Sequence, residues 1–492
     1  MESMGTGNKL SELSANRTID CKSGWKEQLN IQNKEGPMNS EKLNQYVVAV
    51  IGAGPAGLFA ARQLVTEGVR VVIINRDIKP GGLAEYGIYP TKYKMKEGLR
   101  KQFRQIIAMP EIDYFGNITV GQQSDITLDD LRAIGFNALL VTVGAQGTKW
   151  LGLPGEDLVG VYHAKDLVYH YNQLPPYCED EFALGRRVAL VGVGNVMLDI
   201  ARWLIRNVKV DEVIAVARRG PAEVKFDKKE LEYVAANLDL AALDEEMKRI
   251  TPIMEAVDQD ATAAKDYILS ALPKAVEPVS DARLRFDFCA SPTQIIGDED
   301  GNVTGLEVED TKLIPHNGDT KARGLGTRRT IPVDTVIFCI GDKVDENHGL
   351  PVKWNEFIKN PNPHVPVEGI SYEAFDPEMH RPIPGTFVAG WSREASSGLV
   401  GLARKDGERG ARAIAAYLKT QPTPKDEAAL FARLQERLAA IPHRVITKED
   451  VYRLAEIEAA EAVRLGVEDF KFCANEDMLA AIEQADAVKS GQ

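Results

Sequence analysis

The chain has 492 residues and a formal net charge of −13; 44% of its residues are hydrophobic and 27% are charged. This composition is typical of a globular protein, and the length predicts two to four domains rather than one hydrophobic core. The negative charge disfavours nonspecific binding to nucleic acid or to an anionic membrane, and no stretch approaches the roughly 20 apolar residues that a membrane span requires.

The first predicted ordered unit begins near residue 47. Residues 1–46 are polar and without a period, which predicts a flexible N-terminal extension. The β-branched run over 47–51 is typical of a strand buried on both faces of a parallel sheet. A glycine-rich turn over 52–57, a helix over 58–67 and a second strand over 69–74 complete a βαβ unit.

The glycines of this turn match the needs of a bound pyrophosphate, which sits where the first backbone N–H groups of a helix lack partners. Gly52 makes the tight turn, Gly54 lets the phosphate approach the backbone, and Gly57 lets the helix pack closely on the strand. An acid that binds the adenosine ribose usually follows the second strand. Here Asn75 and then Arg76 follow it, and an amide can bond a hydroxyl only without charge assistance.

A second unit of the same kind lies about 140 residues further along the chain. It has a strand over 187–191, a turn over 192–197 that contains Gly192 and Gly194, a helix over 198–207, and a strand over 213–217. Met197 replaces the third glycine, so we expect this helix and strand to lie further apart.

Two arginines, Arg218 and Arg219, follow the second strand of this unit, where an NAD site has an acid. Paired guanidinium groups suit the charge of a 2′-phosphate, so we predict NADP(H) here, with NAD(H) as the less favoured nucleotide. A solvated surface pair is the alternative interpretation. Two dinucleotide sites in one chain indicate electron transfer between a tightly held flavin and an exchangeable nicotinamide.

Three further apolar runs end in glycine, over 138–145, 334–341 and 385–390. Each predicts a strand whose last glycine lets the chain turn beside a ligand. Residues 236–280 and 421–492 have helical periodicity. The second of these predicts a C-terminal extension that serves packing or contacts within an oligomer or complex.

The five cysteines are far apart in sequence: Cys21, Cys178, Cys289, Cys339 and Cys473. Their spacing argues against a Cys-x-x-Cys redox pair, an iron–sulfur cluster or a zinc site. We therefore expect no metal site, no redox-active thiol pair and a reducing, cytoplasmic location.

Several segments resemble the adrenodoxin reductase family, which comprises FAD-containing ferredoxin–NADP reductases of the glutathione-reductase fold group. The resemblance covers roughly residues 47–420 and keeps the family's order. It is carried by 80–83 with 86–88, 194–202, 217–221 with 229–231, 286–292, and 390–391 with 398–401 and Asp406.

The resemblance implies an α/β fold with two Rossmann-type domains, the second inserted in the first. The expected division is a flavin domain over 47–150 and 375–420, an NAD(P) domain over 151–374, and the helical extension over 421–492. No side chain is needed as a catalytic acid or base; Trp391 and Gly398 position the flavin and the nicotinamide. The expected cofactor-binding residues are Gly52, Gly54, Pro55, Ala56, Gly57, Asn75, Arg76, Gly82, Leu83, Gly144, Gly192, Gly194, Asn195, Val196, Arg218, Arg219, Glu230, Gly390, Trp391, Gly398, Leu399 and Val400.

The implied activity is transfer of electrons from NADPH through FAD to an iron–sulfur protein. The chain has Thr91 and Lys92 where that family often has an Asp-His pair, and this stretch is more similar to the glutamate synthase small subunit. Two alternatives therefore stay open, a diaphorase subunit of a larger redox enzyme and a nucleotide-bound structural subunit without turnover. A basic run that includes Lys96 and Arg100 is expected either to dock an acidic partner or to form a solvated helix face.

Overall fold

The computed structural model describes residues 43–395, 400–422 and 426–490. The strands are β1 (Val47–Ile51), β2 (Arg70–Ile74), β3 (Ile112–Gly116), β4 (Ala138–Val141), β5 (Val161–His163), β6 (Arg187–Val191), β7 (Glu212–Val216), β8 (Arg283–Asp287), β9 (Ala290–Gly297), β10 (Val303–His316), β11 (Asp319–Pro332), β12 (Thr335–Phe338), β13 (Val352–Lys353), β14 (Glu356–Phe357), β15 (Glu373–Asp376), β16 (Arg381–Val388) and β17 (Ile446–Thr447). The α-helices are α1 (Pro55–Thr66), α2 (Leu83–Tyr86), α3 (Tyr93–Ile107), α4 (Leu128–Ile134), α5 (Ala164–Tyr171), α6 (Asn195–Trp203), α7 (Lys228–Leu231), α8 (Leu240–Glu255), α9 (Ala261–Leu269), α10 (Val400–Leu418), α11 (Glu427–Ala439), α12 (Lys448–Leu465) and α13 (Asn475–Ser490).

The first sheet has seven strands in the order β15-β16-β4-β1-β2-β3-β17. Its central strands are parallel, and every residue of β1 is buried because the sheet carries apolar layers on both faces. Leu58 of α1 and Ile414 of α10 belong to the core on one face. Leu131 of α4 and Leu434 of α11 belong to the core on the other face, together with Val344.

The second sheet has five parallel strands in the order β5-β12-β6-β7-β8. An antiparallel three-stranded sheet, β9 to β11, connects β8 to β12. All of these strands lie in sequence between β4 and β15 of the first sheet, so the second unit is inserted in the first. This arrangement confirms the predicted α/β class with two dinucleotide-binding units and C-terminal helices. None of the helices in the described ranges has the length and apolarity needed to cross a membrane.

The C-terminal extension is part of the first unit. Its short strand β17 pairs antiparallel with β3, and Leu454, Met478 and Ile482 are buried in the same core as α1. The extension therefore packs on the first unit as predicted: it adds a strand to the sheet and contributes side chains to the core.

Lys471, between α12 and α13, joins the extension to both sheet units. Its side chain is only 3% exposed, and its Nζ lies 2.9 Å from Glu85 Oε1. The same Nζ donates to the backbone carbonyls of Glu85 on α2 (3.0 Å) and Asn172 at the end of α5 (3.1 Å). Burial alone would raise the pKa of Glu85, but the cations Lys471, Lys79 and Arg100 outweigh it and hold this pKa well below its usual range.

A disulfide lies next to this junction. Cys178 and Cys473 have Cα atoms 5.5 Å apart, although 295 residues separate them in sequence. This bond is not the Cys-x-x-Cys pair that the cysteine spacing argues against; it joins remote segments, and spacing in sequence does not predict such a contact. Cys289 and Cys339 are free thiols, and Cys21 lies outside the described residues.

We predict that Lys471→Met lowers the free energy of unfolding by about 3 kcal/mol, because it leaves the buried Glu85 carboxylate with less counter-charge. Denaturant titration followed by circular dichroism measures this loss. Lys419→Met, at an exposed lysine, is the matched control and should change stability by less than about 0.5 kcal/mol. A loss of the same small size for both variants would contradict the structural role of Lys471.

Candidate functional site

The first glycine-rich turn has the close contacts that each glycine was predicted to allow. Gly52 has φ +103°, and a Cβ there would lie 2.7 Å from the Thr142 carbonyl oxygen. A Cβ on Gly57 would lie 2.0 Å from the Gly52 oxygen, so only glycine lets α1 lie this close to β1. Among the described residues, a Cβ on Gly54 would meet no atom within 4 Å, and no side chain caps the start of α1. The start of α1 therefore combines open space at Gly54 with the N–H groups that a helix directs toward an anion.

Other residues of the predicted flavin site converge on the same helix start. Gly82, with φ +49°, would place a Cβ 3.2 Å from Gly54 Cα. Gly390, with φ +67°, would place one 2.6 Å from the Cβ of Ala56. Pro55 is the first residue of α1, where its missing N–H and fixed φ suit the helix. Residues from three distant parts of the sequence thus surround one helix terminus.

Asp406 on α10 fixes the Gly390 turn. Its Oδ2 accepts a hydrogen bond from Gly390 N (2.6 Å), and its Oδ1 accepts from the Tyr372 hydroxyl (2.9 Å) and from Arg393 Nη2 (2.7 Å). Ser392, which the sequence analysis missed, accepts from Gly144 N (3.0 Å) and so connects this turn to the end of β4. Gly144 itself has φ +74°.

Trp391 lies between these two anchors, in the short 3₁₀ turn Gly390–Ser392, and is partly buried. Val400 is the first residue of α10. The predicted site residues Gly398 and Leu399 lie outside the described residues.

Asn75 is placed differently from the expected ribose ligand. It is 7% exposed, and its Oδ1 accepts from Ala53 N (2.9 Å), within the glycine-rich turn. Its Nδ2 donates to the carbonyl oxygens of Asp77 (2.8 Å) and Lys79 (3.2 Å). The Asn75 amide therefore stabilises the glycine-rich turn by hydrogen bonds to backbone groups. The neighbouring Arg76 is exposed and pairs with Asp77 (2.8 Å).

The second glycine-rich turn repeats the geometry of the first in two of its three positions. Gly192 has φ +122°, and a Cβ there would lie 2.4 Å from the Cys339 carbonyl oxygen. Within the part of the chain that the structure describes, a Cβ on Gly194 would also meet no atom within 4 Å, and no side chain caps α6. Met197, in place of the third glycine, is fully buried in the core of this unit.

Asn195 ties this turn to the segment that precedes α7. Its Oδ1 accepts from Asp227 N (2.7 Å), and its Nδ2 donates to Asp227 Oδ2 (3.0 Å). Val196 is 45% exposed, so the first turn of α6 faces solvent on its open side.

The two arginines after β7 lie in different environments. Arg218 is exposed, and within the described residues it forms no ion pair. Arg219 Nη1 lies 3.1 Å from an Asp319 carboxylate oxygen and donates to the Thr320 carbonyl (2.9 Å). Glu230, one of the expected cofactor-binding residues, pairs with Lys92 (2.7 Å).

Lys92 and Thr91 hold the two sheet units together. Thr91 Oγ1 accepts from Arg202 Nη2 (2.7 Å), and the Arg202 guanidinium stacks 4.1 Å from the centre of the Tyr89 ring and 3.6 Å from that of Tyr233. The positions that depart from the family's Asp-His pair therefore make an interdomain contact.

A buried acid, Asp199 on α6, borders this contact. Burial raises its pKa to about 6, although Lys92 acts in the opposite direction. Neither Asp199 nor Arg202 was singled out from the sequence except as part of the family-like segment, because their surroundings come from both units.

The basic run on α3 is not the docking surface that we expected. Lys96 is 2% exposed, and its Nζ donates to Asn172 Oδ1 (2.6 Å). Burial and the neighbouring Lys471 lower the pKa of Lys96 to about 7. Arg100 is bound to Glu85 (2.7 Å) and Asp469 (2.8 Å). Both cations serve the junction with the C-terminal extension, so the docking interpretation is wrong at these two residues.

Comparison with known proteins places this geometry in context. The family model described as pyridine nucleotide-disulphide oxidoreductase matches residues 46–372. The chain is 28% identical over 387 residues to the mitochondrial NADPH:adrenodoxin oxidoreductase of Arabidopsis thaliana, covering 72% of this chain and 78% of that one. It is 28% identical over 391 residues to the NADPH-ferredoxin reductase FprA of Mycobacterium leprae, covering 73% and 81%.

A solved structure has the same fold along most of the chain. Mycobacterium tuberculosis FprA in complex with NADPH superposes with a TM-score of 0.73 at 24% identity, covering 89% of this chain and 99% of that one. This likeness supports the two-unit architecture described above.

We predict that two glycine substitutions in the first turn separate folding from cofactor binding. Gly57→Ala should lower the stability of the flavin-free protein, because the new methyl would collide with backbone. Gly54→Ala should leave that stability unchanged and weaken flavin binding at least about tenfold, because the methyl occupies the approach of the phosphate.

Denaturant titration of the flavin-free protein and flavin fluorescence titration measure the two quantities. Gly98→Ala on α3 is the control, since a Cβ there meets no atom within 4 Å and Gly98 is far from the turn in sequence. Normal flavin binding by Gly54→Ala would refute the assignment of this turn.

Proposed function

Because the chain belongs to the pyridine nucleotide-disulphide oxidoreductase family, we propose that it is a flavoenzyme that passes electrons from NADPH through FAD to an iron–sulfur protein. This proposal rests on the two glycine-rich turns at the starts of α1 and α6, where no side chain of the described residues caps the helix. In the second unit, the strand after the helix, β7, is followed by Arg218 and Arg219 and not by an acid. The named activities of the adrenodoxin and FprA relatives support the same direction of transfer.

FAD is assigned to the first unit. Its pyrophosphate would meet the N–H groups at the start of α1, where Gly54 leaves the space that a side chain would fill. Gly82, Leu83 and the Gly390 turn would border the rest of the cofactor. When bound, the flavin accepts a hydride from the nicotinamide and can release electrons one at a time.

NADPH is assigned to the second unit. Gly194, Asn195 and Val196 present the start of α6, and Arg218 and Arg219 supply positive charge beyond β7 for the 2′-phosphate. The sites at Gly192 and Gly52 lie at the carboxyl ends of their parallel strands, which is the edge where α/β sheets bind ligands.

Hydride transfer needs alignment to within about 3.5 Å rather than an acid or a base. The side chains that serve alignment are those that fix one unit against the other: Lys92 with Glu230, Thr91 with Arg202, and Lys471 with Glu85 and Asn172. The Asp406 network holds the Gly390 turn, and Trp391 with it, beside the start of α1.

Anaerobic mixing with NADPH should bleach the flavin faster than mixing with NADH at equal concentration. Arg219→Ala should reduce the preference for NADPH by about tenfold or more, the value of a charge-assisted hydrogen bond to phosphate. Arg186→Ala is the control and should keep the preference. Arg186 is exposed and precedes β6, at the amino-terminal end of the strands, whereas Arg219 follows the carboxyl end of β7. Equal bleaching rates for both donors in the parent protein would refute the NADP assignment.

The acceptor is tested separately. With NADPH in excess, the chain should reduce an added [2Fe–2S] ferredoxin. The decrease in the visible absorbance of the oxidised cluster measures this reduction. If the flavin is bleached by NADPH and the ferredoxin stays oxidised, the acceptor assignment fails while the NADPH site stands.

A further inference from the structure

The turn between β10 and β11 reaches the arginine that we assign to the 2′-phosphate. Arg219 Nη1 lies 3.1 and 3.2 Å from the two carboxylate oxygens of Asp319, and it donates to the Thr320 carbonyl (2.9 Å). A hydrogen bond from Thr320 N and the ion pair with Arg219 lower the pKa of Asp319, and Lys225 contributes to this effect. Asp319 is therefore a carboxylate at neutral pH and faces at least two cations of the second unit.

The position of this carboxylate is set by the fold. Asn317 (φ +49°) and Gly318 (φ +78°) form the two-residue turn between the strands, which is the sequence and conformation of a tight hairpin. Leu313 of β10 is buried in the core of the second unit and lies 3.6 Å from where a Cβ of Gly220 would be. Because the hairpin is anchored beside residues 219 and 220, Asp319 is presented to Arg219 by a packed element.

The far side of the turn is anchored as well. The Thr320 hydroxyl donates to the Glu223 carboxylate, which also accepts from Gln259 Nε2 (2.7 Å). The backbone on both sides of Asp319 is thus held, whereas the Asp319 side chain is 70% exposed and can rotate away from Arg219.

We propose that Asp319 competes with the 2′-phosphate of NADPH for Arg219 and thereby limits the preference for NADPH over NADH. This inference rests on the proposed function, which places the phosphate at Arg219. In the nucleotide-free enzyme the carboxylate neutralises this guanidinium. NADPH must replace the carboxylate, and its 2′-phosphate carries the same sign of charge, whereas NADH has a hydroxyl and no phosphate at that position.

The carboxylate also supplies what the sequence lacks after β7. NAD sites place an acid there to accept hydrogen bonds from the ribose hydroxyls, and this chain has Arg218 and Arg219 instead. Asp319, delivered by the hairpin, brings an acid to the same location. In this site Arg219 favours the 2′-phosphate of NADPH, and Asp319 favours the free 2′-hydroxyl of NADH.

The test measures binding of NADP⁺ and NAD⁺ to the oxidised holoenzyme by calorimetry, which does not depend on turnover. Asp319→Asn should tighten NADP⁺ binding about fivefold, the scale of one exposed ion pair, and should leave NAD⁺ binding unchanged or weaker. Asp319→Ala should tighten NADP⁺ binding likewise, because both variants remove the charge. The gain should shrink as salt rises, since the competing charge is exposed.

Asp211→Asn is the matched control, because Asp211 forms an exposed ion pair with Arg186 at the amino-terminal end of β6 and β7, opposite to the end that Arg219 follows. Unchanged NADP⁺ binding in both Asp319 variants, with Arg219→Ala still weakening NADP⁺, would overturn the inference and leave the proposed function intact. Unchanged NADP⁺ binding in Arg219→Ala would remove the proposed phosphate site itself. An equal gain for NAD⁺ and NADP⁺ in Asp319→Asn would also overturn the inference, because competition with the 2′-phosphate cannot affect a nucleotide that lacks this group.

Discussion

The architecture depends on close contacts between backbone segments at the start of α1, where the helix meets the turn after β1 and helix α10. Gly57 lets the helix lie against the Gly52 carbonyl, and Gly407 of α10 would place a Cβ only 2.1 Å from the Ala56 carbonyl. A side chain at either glycine would separate α1 from the sheet or from α10. Three elements therefore meet in close backbone contact beside Gly54. A site for a dinucleotide follows from this packing before any polar side chain is considered.

The two glycine-rich turns could be predicted because all of their information is local. Strand, turn and helix follow one another within about 28 residues, and each glycine has a steric task within that unit. The observed β1, α1 and β2, and likewise β6, α6 and β7, lie within a few residues of the predicted bounds. The π-helical turn Leu204–Val208 that continues α6 had no such signal.

The misjudged residues are those whose partners come from remote segments. Lys96 and Arg100 belong to a run of basic residues, which in sequence predicts a solvated face, yet their partners are Asn172, Glu85 and Asp469. Contacts of this kind depend on how the insertion and the C-terminal extension dock, which periodicity and spacing do not describe.

The bond between Cys178 and Cys473 closes a covalent ring that contains every strand from β6 to β17. In a chain-entropy description, such a ring restricts the unfolded chain by an amount on the order of 5 kcal/mol. A peptide bond cut within the ring, for instance among the exposed residues 298–300, would open the ring without separating the two pieces. The cleaved molecule would travel as one species until a reductant divided it.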